Sequence, residues 1–428
     1  MVPEQILLRG GRVVCPVSGA DAVLDVHIAD GLVAEVGANL GVSGAREIDC
    51  SGRIVAPGWT DLGAELCDPG LCYREDLTSG SEAGAAGGFT TVVASPKTEP
   101  VVDTPAVAAD VVARSKEVPG ARILQSGALT LGLRGESLAE VGLLVEAGCV
   151  ALSDGRKAMA NADILRRTLQ YVHPFGVPVF LRPGEPSLEK DGVMHEGRAS
   201  MHAGLRGIPA AAEEIGIARI VALVRATGAR VHLSQVTTAA GLKRVQMAKS
   251  EGLPLTATVP ARHLLLNDEE VEASVYNTST RLLPPLRSED DRKACIQALH
   301  DGVLDGVTAD HVPWTRVAKE LEYMHARKGA NGLETALGAT WAALEGDAQA
   351  VVRALAIGPA AVLGQEPRVT SGSVADLVVF EPAQDWTVTA PYKSRGGYDP
   401  LEGRALPAAV CLTVVAGRVV YGPRTGGA

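Results

Sequence analysis

Residues 57–100 read PGWTDLGAELCDPGLCYREDLTSGSEAGAAGGFTTVVASPKTEP, and the order of residue types within them sets the fold. An apolar run at 59–65 gives way to the turn former Asp68-Pro69-Gly70. A small-residue helical stretch at 83–87 and the pair Gly87-Gly88 follow, and then a β-branched run at 90–95. Strand, helix, strand is the unit of a parallel sheet. The two-residue period of a strand puts Asp61, Gly63 and Glu65 on one face. Gly87-Gly88 precedes a strand, whereas a phosphate cradle follows one and opens a helix, so this pair is no nucleotide loop.

Working outward, the same rhythm continues across residues 57–361. Strands are expected at 122–126, 150–154, 178–182, 230–235, 254–259 and 306–310, with helices at 106–115, 138–147, 160–171, 211–226, 241–252 and 291–301. Eight strand–helix units close into an α/β (β/α)₈ TIM barrel. The connection at 183–207 is long enough to suggest function. Residues 1–56 and 362–428 differ: short β-type runs are punctuated by Gly10-Gly11, Asp30-Gly31, Ser51-Gly52 and Ala416-Gly417, which are hairpin signals. Neither end has enough strands to stand alone, so both are expected to build one small β-sandwich domain beside the barrel.

Composition narrows the function. Aromatic residues make up only 4 % of the 428, so the core is aliphatic, and the net charge is −10 with no basic tract. That argues against nucleic acid, which requires clustered Lys and Arg. Seven scattered cysteines without a CxxC pair read as reduced thiols. The amino terminus lacks the basic and apolar regions of a signal peptide, and no apolar run reaches the roughly 20 residues that span a bilayer. A cytoplasmic protein without membrane association is expected.

Reactive side chains of such a barrel stand at the carboxyl ends of its strands. Here those are Asp61, Gly63 and Glu65, then Lys97, Asp154, Arg182, Gln235, and Asp310 with His311. The opening stretch resembles the dihydroorotase segment in which Asp-x-His-x-His-Leu-Arg precedes Pro-Gly, and Gly-Gly-Phe-Thr-Thr-Val precedes Met-Pro-Asn-Thr-Asn-Pro. The likeness continues through Leu152-Ser153-Asp154-Gly155, Glu185-Pro186-Ser187-Leu188, Pro284-Pro285-Leu286-Arg287-Ser288, Asp310-His311-Val312-Pro313 and Gly332-Leu333-Glu334-Thr335. It ends with Ala375-Asp376-Leu377-Val378-Val379-Phe380 and Gly417-Arg418-Val419-Val420, so it spans essentially the whole chain.

The resemblance implies an amidohydrolase-type barrel and the reversible closure of carbamoyl aspartate to dihydroorotate at zinc. The family's paired histidines of strand one fall on Gly63 and Glu65, its histidine after strand five on Arg182, and the one ending strand six on Gln235. Substrate contacts fall on Cys67, Lys97, Leu283 and Trp314, where the family has arginine, asparagine, asparagine and histidine. Glycine has no ligand and arginine no lone pair to donate. Asp154, Asp310 and His311 are therefore read as vestiges, with no catalytic residue, no metal and no cofactor expected. Lys97 and Arg182 are expected to pair Glu65, Asp154 and Asp310 in place of two divalent ions, because unpaired buried charge is costly. The competing use of Glu65 is as an oxygen ligand for Mg²⁺.

Outside that set, His195 and His202 read as exposed loop histidines, and His232 and His263 as core or rim residues. Cys67 and Cys72 flank a turn, with no second pair to complete a zinc site. Similarity to noncatalytic dihydroorotase-like chains implies a subunit, itself a homodimer, that assembles with the aspartate transcarbamoylase catalytic chain. The alternatives are an active dihydroorotase or related cyclic-amide hydrolase (hydantoinase or allantoinase type) with a rebuilt site, and a small-molecule sensor using the cations Lys97 and Arg182.

Overall fold

The computed structural model describes residues 5–422. The first four residues and the last six of the expected terminal domain lie outside them, as does the start of the segment read for a signal peptide. Eight parallel strands pair in chain order: Trp59–Ala64, Phe89–Ala94, Arg122–Ala128, Ala151–Ser153, Val179–Leu181, Val231–Leu233, Leu255–Pro260 and Gly306–Thr308. The eighth strand meets the first through a side chain. Asp61, fully buried, accepts from Thr308 Oγ1 and the Ala309 amide, both at 2.7 Å. The Glu65 amide donates to the His311 carbonyl at 2.9 Å. Burial raises the Asp61 pKa, and the hydrogen bonds from Thr308, Ala309 and Gly63 work against it.

The helices begin where the sequence supplies caps. Asp76 and Ser79 form a capping box at the start of Leu77–Ala86, Thr238 caps Ala239–Ser250, and Ser288 caps Glu289–His300. The first helix is therefore longer than the small-residue run at 83–87 suggests. The aliphatic core expected from composition fills the space between barrel and helices. A smaller cluster of Leu62, Val93, Ala151 and Phe180 packs with Val362.

Both chain ends meet in one separate, mostly antiparallel sheet, as expected. Its strands run in the order Arg418–Tyr421, Ala409–Val415, Leu377–Glu381, Ile54–Pro57, Ile6–Cys15, Ala20–Ala29 and Leu32–Gly37, with Arg46–Asp49 also paired to Ile6–Cys15. Residues from the two ends, including Ile6, Val26, Val33, Leu377 and Leu412, share one core.

Two local expectations need correction. The register slips between Asp61 and Ala64, so strict alternation does not carry Asp61, Gly63 and Glu65 to a common destination: Asp61 turns to the seam and Glu65 to the mouth. The fourth, fifth, sixth and eighth strands also end one or two residues early. Asp154, Arg182, Gln235 and Asp310 thus lie just beyond the pleat, with Gln235 and Asp310 at φ 65° and 50°. Left-handed backbone is uncommon for residues other than glycine, and here it aims both side chains over the barrel end.

Candidate active site

The carboxyl end of the barrel is organised by paired charged side chains. Asp310 is held in place from behind, because Arg262 Nη2 donates to the carbonyls of Ala309 and Asp310, each at 2.8 Å. The Asp310 Oδ1 accepts short hydrogen bonds from Arg156 Nη1 and Gln235 Nε2. Its Oδ2, the Oε1 of Gln235 and the Nη2 of Arg156 are buried without a hydrogen-bond partner.

Glu65, 1 % exposed, is gripped from two sides. Lys97 Nζ lies 3.2 Å from both carboxylate oxygens, and Arg74 Nη2 donates to Oε2 at 2.9 Å. Burial alone would raise the Glu65 pKa, but Lys97, Arg74 and Arg156 overcome it and hold the carboxyl below its usual range. Arg74 also donates to the Pro313 carbonyl and stacks 3.6 Å from the centre of the Trp314 ring. Trp314 is fixed in turn by its Nε1 donating to the Lys328 carbonyl at 3.0 Å. A buried guanidinium between carboxylate and indole keeps its charge satisfied.

The expectation for Arg182 was wrong in its partner. Its guanidinium makes a two-pronged contact with Glu189, at 2.7 and 2.6 Å, and its Nε donates to the Arg156 carbonyl at 2.6 Å. Glu189 lies in the connection after strand five, nearer in sequence than any site carboxylate, and matches the planar fork of arginine. Arg182 therefore positions the backbone of Arg156, and it is Arg156 that neutralises Asp310. Asp154 makes no ion pair among the described residues either. It accepts from the amides of Leu129 and Thr130, at 3.0 and 2.9 Å, and from Thr130 Oγ1 at 2.5 Å. Burial raises its pKa against those bonds. Of the expected pairings, Lys97 with Glu65 is the one found.

The remaining positions fall as follows. A Cβ added at Gly63 would meet nothing within 4 Å. Cys67 is buried at φ 62° with its thiol on the Glu65 carbonyl at 3.4 Å, and burial pushes its pKa up to about 12. Leu283 is half-buried. His311 faces away from the mouth: the Gly332 amide donates to Nδ1, so Nε2 carries the proton and donates to Glu75 at 3.1 Å. The His311 ring is thus engaged by Glu75 and Gly332, whereas its neighbour Asp310 is engaged by Arg156 and Gln235.

His232 and His263 are core residues, bonded to Thr256 and Thr258 and to the carbonyls of Pro284 and Pro285. His202 is exposed, but His195 is not. The pairing of Met194–His195 with Gly207–Ile208 folds the long connection back on itself, and His195 lies 3.3 Å from Arg287 Nη1. All seven cysteines are free thiols.

These residues do not fit zinc. Among the described residues, no group of three or more His, Cys, Asp or Glu side chains is placed to hold a metal ion. Zinc prefers nitrogen or sulfur donors; here the carboxylates of Glu65 and Asp310 are taken by cations and that of Asp154 by amides and a hydroxyl. Space is scarce as well. The cavity bounded by Gly63, Glu65, Arg156 and Gln235 measures about 40 Å³, whereas small-molecule pockets typically hold some 300–1,000 Å³.

Strand order, closure and the ring of strand-end residues define an (β/α)₈ barrel of the amidohydrolase type. L-hydantoinase (dihydropyrimidinase) from Arthrobacter aurescens has the same fold, with a TM-score of 0.87 over 98 % of this chain and 96 % of that one, at 23 % identity. A family model described as dihydro-orotase-like matches residues 52–240. A protein named dihydroorotase from Anaeromyxobacter dehalogenans is 41 % identical, the match covering 98 % of each chain. Another so named, from Citrifermentans bemidjiense, is 39 % identical over 97 % of this chain and 99 % of its own. The chain belongs to the dihydroorotase family.

Sequence reasoning missed Arg74, Arg156 and Glu189. Arg74 and Arg156 stand within or beside the quoted motifs, Arg156 directly after Asp154-Gly155. An arginine two residues beyond a strand-end aspartate was a readable signal.

Proposed function

We propose that this chain is a noncatalytic member of its family: a dihydroorotase-like subunit, dimeric and cytoplasmic, that assembles with the aspartate transcarbamoylase catalytic chain. One observation carries the noncatalytic part. The Asp310 carboxylate, which the family resemblance assigns to metal binding and proton transfer, is engaged by Arg156 and Gln235. A guanidinium stays protonated and cannot bind a metal. A barrel kept whole while its chemistry is replaced suits a role in assembly; that step rests on family likeness. The absence, among the described residues, of a helix long and apolar enough to cross a membrane accords with it.

The second reading is a working dihydroorotase or related cyclic-amide hydrolase. It is favoured by about 40 % identity, over nearly the whole chain, to proteins named dihydroorotase. Purified chain analysed for zinc and assayed for carbamoyl aspartate cyclisation separates the two. The noncatalytic reading expects well under 0.1 zinc per chain and no turnover. One zinc per chain with turnover establishes the enzyme instead. Co-purification of an untagged transcarbamoylase with the tagged chain tests the partner, and its failure at micromolar concentrations removes that part of the proposal.

A further inference from the structure

A second cavity lies at the end of the barrel away from its mouth. About 630 Å³ in volume, it opens where the third and fourth strands begin, beside Arg122 and Gly148. Its other wall is the hairpin of the last two strands, Ala409–Val415 and Arg418–Tyr421. The cavity thus sits between the barrel and the sheet built from the chain ends, the kind of junction at which small-molecule sites recur. Its volume falls within the roughly 300–1,000 Å³ of such sites. The chemistry of this fold stands at the opposite ends of the strands, so the cavity suits binding rather than reaction.

Two features of the lining point to one kind of ligand. Val112, Val118, Leu124, Val415 and Val419 supply apolar surface, and each is only half-buried. Covering such surface with hydrocarbon is favourable in proportion to the area removed from water. The charged lining residues are Lys116, Arg122, Arg418 and Glu117. Arg122 is already neutralised, since its Nη1 and Nη2 donate to the Asp376 carboxylate at 2.9 and 3.3 Å. Lys116 and Arg418 are exposed, and among the described residues neither side chain makes a hydrogen bond or an ion pair. Set against Glu117, they leave the rim with one positive charge in excess, on a chain whose net charge is −10. That local balance suits a ligand with a single negative group.

We infer that this cavity binds a small amphipathic carboxylate, its hydrocarbon body against the valines and its anionic head held at the rim by Lys116 and Arg418. The strand Arg418–Tyr421 ends its sheet, and among the described residues no further strand pairs with its outer edge, so the wall beside the head is not covered by the fold itself. The site uses neither zinc nor the barrel mouth. It stands or falls separately from the noncatalytic reading and from the transcarbamoylase partner.

Calorimetric titration of the full chain with decanoate in low-salt buffer tests this. Decanoate should bind with a dissociation constant below about 1 mM. Hexanoate should bind at least about tenfold more weakly, because each methylene removed from water adds to affinity. Decyltrimethylammonium, with the same tail and the opposite charge, should also be at least about tenfold weaker. Lys116→Met and Arg418→Met break no hydrogen bond or ion pair among the described residues, so both variants should unfold at the temperature of the parent. Decanoate affinity should fall about threefold in each and about tenfold in the double variant. Lys243→Met, on the helix Ala239–Ser250, should leave it unchanged; an equal fall there assigns the effect to net charge and overturns the proposal. No binding of decanoate at about 5 mM overturns it too, as does equal affinity for the cationic ligand or a double variant that binds as tightly as the parent. The chain-length and charge-reversal comparisons use the parent protein and decide the matter even if a variant fails to fold.

Discussion

Arg156 and Asp310 lie 154 positions apart in the chain and meet at the barrel mouth through one guanidinium–carboxylate contact. Arg156 reaches it because Arg182, anchored on Glu189, holds the Arg156 carbonyl. The position where the family resemblance calls for a metal-binding histidine therefore carries a residue that steers another residue's charge. The substitution at 182 does not simply delete a ligand. It installs the support for the cation that occupies the neighbouring carboxylate.

Breaking this contact from one side should be expensive. Arg156→Met leaves the Asp310 carboxylate buried with Gln235 as its one remaining side-chain hydrogen-bond partner among the described residues. Loss of one member of a buried pair costs about 3–5 kcal/mol, and urea unfolding should show a drop of that size. Asp310→Asn in the same background removes the stranded charge and should recover more than half of it. Equal stability of the single and double variants shows that the pair is not energetically coupled.

The same residues show how far the sequence could be read. Strand order, the merging of both chain ends and the Lys97–Glu65 pairing were legible, because apolar rhythm and unlike charge at neighbouring strand ends are local properties. The partners of Arg182 and Asp310 were not. They depend on strands ending a residue or two early and on left-handed backbone at Gln235 and Asp310, which no periodicity reports. His195 was misjudged because a loop histidine gives no sign that its loop folds back onto Arg287.

Restoring histidines alone should not restore zinc. A Cβ at Gly63 meets no other atom within 4 Å, and Gly63→His with Glu65→His, Arg182→His and Gln235→His returns four nitrogen donors. Arg156 still competes for Asp310, so this fourfold variant should take up less than 0.3 zinc per chain by mass spectrometry after dialysis, on the order of the weak loading expected of an incomplete donor set. Adding Arg156→Ala should raise uptake at least threefold. If the fourfold variant fills with zinc while Arg156 is present, the guanidinium does not block the site.

Acid should weaken the fold through its buried histidines. Burial, helped by Arg287, lowers His195 to about 4 from an ordinary 6.5. Burial, with nearby cations, takes His232 and His263 to about 3. The folded chain keeps these rings neutral while the unfolded chain protonates them near 6.5, so the unfolded state binds more protons below that pH. Stability is full above about 7, falls as pH drops through 6.5, and keeps falling toward the folded values, by up to about 1.4 kcal/mol per pH unit for each ring. His232→Gln should flatten the slope of stability between pH 6 and 5 by roughly a third. An unchanged slope shows that His232 is already protonated in the folded chain.

The long connection after strand five should behave as a fixed part of the barrel wall rather than as a lid. Arg287 ties it down by donating to the Ile208 carbonyl and Thr237 Oγ1 and by contacting His195 and Glu213. Glu213 accepts in addition from the amides and hydroxyls of Thr237 and Thr238. Arg287→Met removes the bonds to the connection but leaves Glu213 well satisfied, so unfolding of the whole chain should change less than release of this one segment. Hydrogen exchange across residues 193–208 should accelerate at least tenfold, with exchange in the strand Val231–Leu233 little altered. Acceleration spread evenly over the barrel assigns Arg287 to global stability, and no acceleration at all means that the connection is held by the apolar contacts of Val193 and Met194 instead.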